Sequence, residues 1–244
     1  MKYFGLTNKG KMRKSNQDRY TVLCTADNSV LLAAVCDGMG GASGGEVASS
    51  IATSVTESSF KAFCDLSPKQ SQWKNILTEI VSDANNSIYE TSVKNPSLLG
   101  MGTTFVGFIA NDKKLTAANV GDSRAYIINE DGITQLTKDH SLVSEMVEKG
   151  RISAAEATVH PSKNVITRAL GVDVSVECDI YTADVTDGDY ILLCSDGLTE
   201  EVSAPEIHFE VCNSDSLENA AKSLVDIANA RGGHDNITVV ICAF

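Results

Sequence analysis

Three apolar runs in this chain each meet an aspartate at one end. They are Leu31-Leu-Ala-Ala-Val-Cys36 before Asp37-Gly38, Tyr190-Ile-Leu-Leu-Cys-Ser195 before Asp196-Gly197, and Asp235-Asn236 before Ile237-Thr-Val-Val-Ile241. Short runs of aliphatic and β-branched residues bounded by Asp and Gly read as strands of a buried core. A carboxylate beside such a strand is costly unless a cation answers it. No Lys or Arg lies next to any of the three in sequence, so three distant segments point to one shared partner. Hard divalent ions suit the role, because Mg²⁺ and Mn²⁺ prefer carboxylate, carbonyl and water oxygens. Two of these aspartates precede glycine, which lets backbone carbonyls turn toward a metal as well. The pattern predicts a metal-dependent hydrolase.

The 244 residues suffice for one large domain with a full core and are short for two, so residues 1–244 are expected to form a single catalytic domain. A formal net charge of -12 argues against nucleic-acid and anionic-membrane partners. It leaves a phosphorylated substrate open, because bound divalent cations invert the local potential. The N-terminal stretch Met1–Lys9 has no apolar core of signal-peptide length, and no apolar run approaches the ~18 residues of a membrane span. Seven cysteines without a Cys-x-x-Cys pair read as reduced core residues, and a cytoplasmic protein is expected.

Strand signals recur at Val30–Cys36, Thr103–Ala110, Leu115–Val120, Ala125–Asn129, Tyr190–Cys194 and Ile237–Ala243. Asp112–Lys114 and Glu130–Gly132 read as hairpin turns, which favours antiparallel pairing. Helical spacing occupies Glu46–Phe63, about Ser71–Val93, Ser141–Lys149 and Ser216–Arg231, with Asp139 or Ser141 as cap of the third. Strands packed on each other with helices outside predict an α+β sandwich rather than a doubly wound sheet. Residues 150–170 have weak periodicity, and an irregular insertion of that length predicts a functional flap.

Two further segments carry acidic positions. In Arg13-Lys-Ser-Asn-Gln-Asp18, Asp18 would orient metal-bound water and Arg13 offers a planar fork for phosphate oxygens. Taken alone, the segment reads as solvated surface. In Asn119-Val-Gly-Asp122-Ser-Arg124, Asp122 is either a further metal ligand or half of a surface pair with Arg124.

Arg-x-x-Asn-Gln-Asp at 13–18, Asp-Gly-Met-Gly-Gly at 37–41, Met101-Gly-Thr-Thr104, Val120-Gly-Asp-Ser-Arg124, Leu136-Thr-Lys-Asp-His-Ser141, Ser195-Asp-Gly-Leu198 and Asp235-Asn-Ile-Thr238 follow one another along the chain. This order resembles the metal-dependent protein phosphatases of type 2C, in their bacterial form. The resemblance implies a four-layer α-β-β-α sandwich, two antiparallel sheets flanked by helices, with metals in a cleft at one end. It implies that Asp37, the Gly38 carbonyl, Asp196 and Asp235 hold two Mn²⁺ or Mg²⁺ ions, with Asp37 bridging them. Asp18 would act through bound water, and Asp122 with Asp196 would hold a third, weaker ion. Arg13, Asp37 and Asp196 are the expected catalytic residues. Phosphorylated proteins would be the substrates, opposite a cognate Ser/Thr kinase, and the chain is expected to act as a monomer. Many eukaryotic relatives have a histidine, a candidate general acid, where Met39 stands. Met cannot donate a proton, which leaves metal-bound water, His140 or His160.

Rival chemistries are missing. No cysteine is followed by Arg six positions later, so the thiolate loop of tyrosine phosphatases is absent. Gly5–Lys11 nearly spells a phosphate-binding loop, but Met12 stands where Ser or Thr should bind Mg²⁺. The alternative that remains is a catalytically silent phosphoprotein-binding module of the same fold, which would be expected to lose metal aspartates.

Overall fold

Alternation along the central strands sends successive side chains to opposite sides, and here both sides are buried. The computed structural model describes residues 1–41, 43–65 and 69–244. Its chain runs β1 (Lys2–Asn8), β2 (Arg19–Cys24), β3 (Leu31–Cys36), β4 (Gly38–Met39), α1 (Gly44–Asp65), α2 (Trp73–Lys94), β5 (Gly102–Thr103), β6 (Phe105–Ala110), β7 (Lys114–Val120), β8 (Arg124–Asn129) and β9 (Gly132–Gln135). It continues through α3 (Leu142–Glu148), α4 (Ala154–Thr158), β10 (Asp179–Asp184), β11 (Tyr190–Cys194), α5 (Asp196–Thr199), α6 (Ala204–Asn213), α7 (Leu217–Ala230) and β12 (Ile237–Ala243). The strands form two antiparallel sheets, ordered β1-β12-β11-β8-β9 and β10-β7-β6-β3-β2, with β4 and β5 as a separate pair.

Three apolar clusters separate four layers. Leu31, Ala33 and Val35 of β3 meet Ile191, Leu193 and Val240 between the sheets. The alternate residues Leu32, Ala34 and Cys36 pack with Leu77, Ile80 and Ala84 of α2. On the far side, Leu192, Val239 and Ile241 pack with Ala221, Leu224 and Ala228 of α7. Strands covered on both faces need no polar face, which is why they read as continuous apolar runs. Full burial of each such Leu or Ile contributes about 1.5–3 kcal/mol. The fold is the expected α-β-β-α sandwich.

Register then gathers the functional positions at one end. Arg19 pairs with Cys36, Val35 with Val106 and Phe105 with Val120 in one sheet. Cys194 pairs with Arg124 and with Val239 in the other. Hence Asp18, Asp37, Asp122, Asp196 and Asp235 all leave strands at the same edge of the sandwich.

The structure corrects several expectations. Thr103–Ala110 is two strands, broken at Thr104, whose backbone N–H donates to the Asp37 carbonyl at 2.8 Å. Gly5–Asn8, the first part of the stretch that nearly spelled a phosphate loop, belongs to β1, which pairs along β12 with no helix after it. Residues 150–170 are not irregular throughout. They contain α4, closed by a Ser153–Glu156 capping box, and Leu170 returns to pair with Thr103. Ser141 caps α3 by accepting the Ser144 N–H at 3.2 Å, while Asp139 is engaged elsewhere. Cys36, Cys194 and Cys242 are buried as expected, but Cys212 is exposed. Among the described residues no helix is long and apolar enough to cross a membrane.

Candidate active site

Asp37 is held by its backbone, and its carboxyl faces those of Asp18 and Asp196. Its N–H donates to the Thr104 hydroxyl at 2.9 Å, and the Thr103 hydroxyl donates to its carbonyl at 2.8 Å. Gly38 follows in close backbone contact with Gly45, where an added Cβ would lie 2.0 Å from the Gly45 oxygen. Any side chain at 38 would drive α1 away from the cleft.

Asp196 opens α5 directly after β11, and Asp235 precedes β12. Asp122 sits in the turn from β7 to β8, and that turn is tightly clamped. The Gly121 N–H donates to His140 Nδ1 at 3.1 Å, and the Gly121 carbonyl accepts from the His140 N–H at 2.9 Å. Asn119 adds a bond from Nδ2 to the same carbonyl at 3.2 Å. His140 therefore faces away from catalysis and positions Asp122. His160 lies in the α4 segment, accepting from the Ser162 N–H at 3.1 Å. Neither histidine lines the cleft. The surface-pair alternative for Asp122 fails, because Arg124 makes its bonds to Asp139, from Nη2 at 2.6 Å and from Nε at 2.9 Å.

Arg13, Asp37, Gly38, Asp122, Asp196 and Asp235 line one cleft of about 270 Å³, with Met39, Asn164 and Ile166 at its rim. Asp18 lies buried behind it. One carboxylate oxygen of Asp18 accepts from Ser195 at 2.8 Å and from Thr238 at 2.7 Å, which aims the other toward the cleft. Although no basic residue neighbours the strand-end aspartates in sequence, the fold brings Arg13 to within 2.5 Å of Asp235.

The electrostatics record the crowding of like charges. Burial, opposed by the Thr238 and Ser195 hydroxyls, lifts the Asp18 carboxyl to about 6. Burial and then the Asp139 charge lift Asp122 to about 6. Asp37 is held well above the usual range by burial and the Asp18 and Asp196 charges. Asp196 is held similarly high by burial and the Asp122 and Asp235 charges.

The chain matches the family Protein phosphatase 2C over residues 4–237. It is 37% identical over 235 residues to the serine/threonine phosphatase stp of Listeria monocytogenes, covering 96% of this chain and 92% of that one. The chain belongs to the protein phosphatase 2C family. It is 36% identical over 239 residues to the protein phosphatase PhpP of Streptococcus pneumoniae, covering 97% and 94%. The crystal structure of the serine/threonine phosphatase Stp1 from Staphylococcus aureus superposes with a TM-score of 0.91 at 36% identity, over 99% of this chain and 94% of that one. Membership carries the enzyme class: the chain is a protein-serine/threonine phosphatase.

This phosphatase family is metal-dependent, and the residues present fit a hard divalent ion. The carboxylates of Asp37, Asp122, Asp196 and Asp235 and the Gly38 carbonyl offer it hard oxygen donors. One oxygen each of Asp18 and Asp196 is buried without a hydrogen-bond partner, a costly arrangement unless a cation completes it. Among the described residues no three acidic, histidine or cysteine side chains draw together into a compact ligand cluster.

Sequence reasoning missed the supports. Asn236 accepts the Gln17 N–H at 2.8 Å and donates to the carbonyls of Lys9 and Ser15 at 2.8 and 3.0 Å, pinning the loop that carries Arg13 and Asp18. Thr104 shares a 2.8 Å bond with Ser123, tying the Asp37 and Asp122 segments together. Both lie inside the recognised motifs, which was the available signal.

Proposed function

We propose that this phosphatase hydrolyses phosphoserine and phosphothreonine in proteins by direct attack of water, with two Mn²⁺ or Mg²⁺ ions held by Asp37, the Gly38 carbonyl, Asp196 and Asp235. The observation that supports this most is the convergence of these oxygens from four strand ends on one cleft with unsatisfied buried carboxylate atoms. Such ions would lower the pKa of bound water toward neutrality and neutralise charge on the phosphoryl oxygens.

The chain's own residues do the rest. Asp37 would contribute its carboxylate to holding both ions. Asp18, locked by Ser195 and Thr238, would orient water through its free oxygen. Asp122 with Asp196 would hold a third, weaker ion. Arg13 would exchange Asp235 for the phosphate, presenting its planar fork to non-bridging oxygens. Met39 lines the cleft and supplies no proton, and His140 is committed to Gly121. With the carboxyls engaged by the ions, water would supply the proton to the leaving oxygen. A Ser/Thr protein kinase would act opposite this enzyme, which we read as a monomeric cytoplasmic protein.

The test is release of phosphate from a phosphothreonine peptide with and without Mn²⁺. Metal-dependent turnover supports the proposal. Tight phosphopeptide binding without turnover would favour a silent binding module instead.

A further inference from the structure

A second cavity opens beside the aspartate cleft and shares a wall with it. Its volume is about 510 Å³, within the range of sites that enclose small ligands. Asp122, Asn164 and Asp196 line both spaces. Beyond that wall Val143 and Val147 from α3 and Ala154 and Ala157 from α4 form an aliphatic strip among polar neighbours. The two helices are fixed rather than loose. Each has a serine cap, and Leu142 is tied to the returning chain by its N–H to the Val165 carbonyl at 2.8 Å.

The other charged groups around this cavity already have partners. Arg124 pairs with Asp139 at 2.6 Å, Lys138 with Glu148 at 2.5 Å and Lys163 with Glu200 at 2.9 Å. An anionic guest would have to break one of these pairs or stand beside Asp122, Asp196 and the aliphatic groups with nothing to answer it. An aliphatic guest releases water from the same surface and disturbs none of them.

We propose that this cavity is a specificity subsite that takes an uncharged aliphatic side chain of the phosphoprotein substrate. The proposal rests on the catalytic reading of the aspartate cleft. An extended chain advances about 3.3–3.6 Å per residue, so the shared wall puts the cavity within reach of a side chain roughly one to three positions from the phosphorylated residue. Leucine, isoleucine, methionine or valine fits there, and aspartate is rejected.

Two kinds of substrate separate this subsite from the catalytic cleft. p-Nitrophenyl phosphate needs the cleft alone. Phosphothreonine peptides carrying a single Leu or a single Asp at each of three positions on either side probe the cavity. Wild type should favour Leu over Asp at one of these positions by about tenfold or more in kcat/KM. Ala157→Trp fills the cavity from α4, at a residue that does not line the cleft. It should raise KM for the Leu peptide about tenfold and abolish the preference, with p-nitrophenyl phosphate hydrolysis within about twofold of wild type. Val147→Asp adds charge without bulk and carries the same test should the tryptophan variant fail to fold. Equal rates on all Leu and Asp peptides, or a preference that survives both substitutions, overturns the subsite. Failure of wild type to hydrolyse p-nitrophenyl phosphate with Mn²⁺ would instead count against the catalytic reading.

Discussion

Arg13 donates from its guanidinium to Asp235 at 2.5 Å, tying the loop before β2 to the start of β12. The arginine side chain is 53% exposed and the aspartate 22%, so water screens the pair and it contributes little stability. A phosphate reaching the cleft would compete for the same fork. Arg13→Ala should therefore raise KM for a phosphopeptide roughly ten- to hundredfold, the loss of one charge-assisted bond, with Mn²⁺ affinity nearly unchanged. Arg13→Lys should recover part of the loss, because an ammonium keeps the charge without the planar fork. An unchanged KM in Arg13→Ala would make Arg13 a surface residue and put the phosphate anchor elsewhere.

Asp122 stands apart from the other carboxylates in being positioned from behind by a histidine. Asp122→Ala should lower turnover or raise the Mn²⁺ requirement while calorimetry still finds two tightly bound ions. Loss of all tight binding would place Asp122 in the central pair. His140→Ala should shift the Mn²⁺ requirement in the same direction, since the Gly121 N–H loses its acceptor. Adding it to Asp122→Ala should then produce little further change in that requirement, because both act through one carboxylate.

The metal-free protein should lose stability as pH rises from about 4 to about 7. A carboxyl with a raised folded pKa stabilises the fold below its unfolded value of about 3.9, and that contribution disappears as pH climbs through the folded value. Asp18 and Asp122 are lifted to about 6, and Asp37 and Asp196 are held well above the usual carboxylate range. His140, pushed down by burial, works the other way. So do the lowered carboxyls of Glu90, Glu145, Glu156, Asp179 and Glu206, but these carboxyls lie toward the surface, where water screens their partners. Melting temperature in chelator should fall across this range, and Mn²⁺ at pH 7 should restore it by binding the folded state. A chelated protein whose melting temperature climbs steadily to pH 7 contradicts the crowding described at the cleft.

Much of this was legible in the chain because the central strands are buried on both faces. Runs such as Leu31–Cys36 and Tyr190–Cys194 leave little room for another assignment, and each delivers its aspartate one or two residues later. Edge strands were not legible. In β1 polar residues alternate with apolar ones, and Gly5 interrupts it beneath the Tyr20 ring, whose hydroxyl donates to the Gly5 carbonyl. Strand β10 is a short half-buried run, Asp179-Ile-Tyr-Thr-Ala-Asp184, with an acid at each end. Helix α6 went unseen although Ser203-Ala-Pro-Glu206 spells a capping box, as Ser153-Ala-Ala-Glu156 does before α4. The Arg13–Asp235 pair joins positions 222 residues apart, a contact that neither local pattern nor spacing encodes.

Phosphate release from a phosphothreonine peptide by Asp196→Asn at saturating Mn²⁺ tests the central claim most directly. The substitution keeps the shape of the side chain and removes one of the convergent charges, so the folded protein should persist, with a metal-free melting temperature at or above that of wild type at pH 7. Its turnover should fall by about a thousandfold or more, a barrier increase of about 4 kcal/mol. Turnover within about tenfold of wild type, only ~1.4 kcal/mol, would contradict the account, because the metals could then not be held where Asp196 stands.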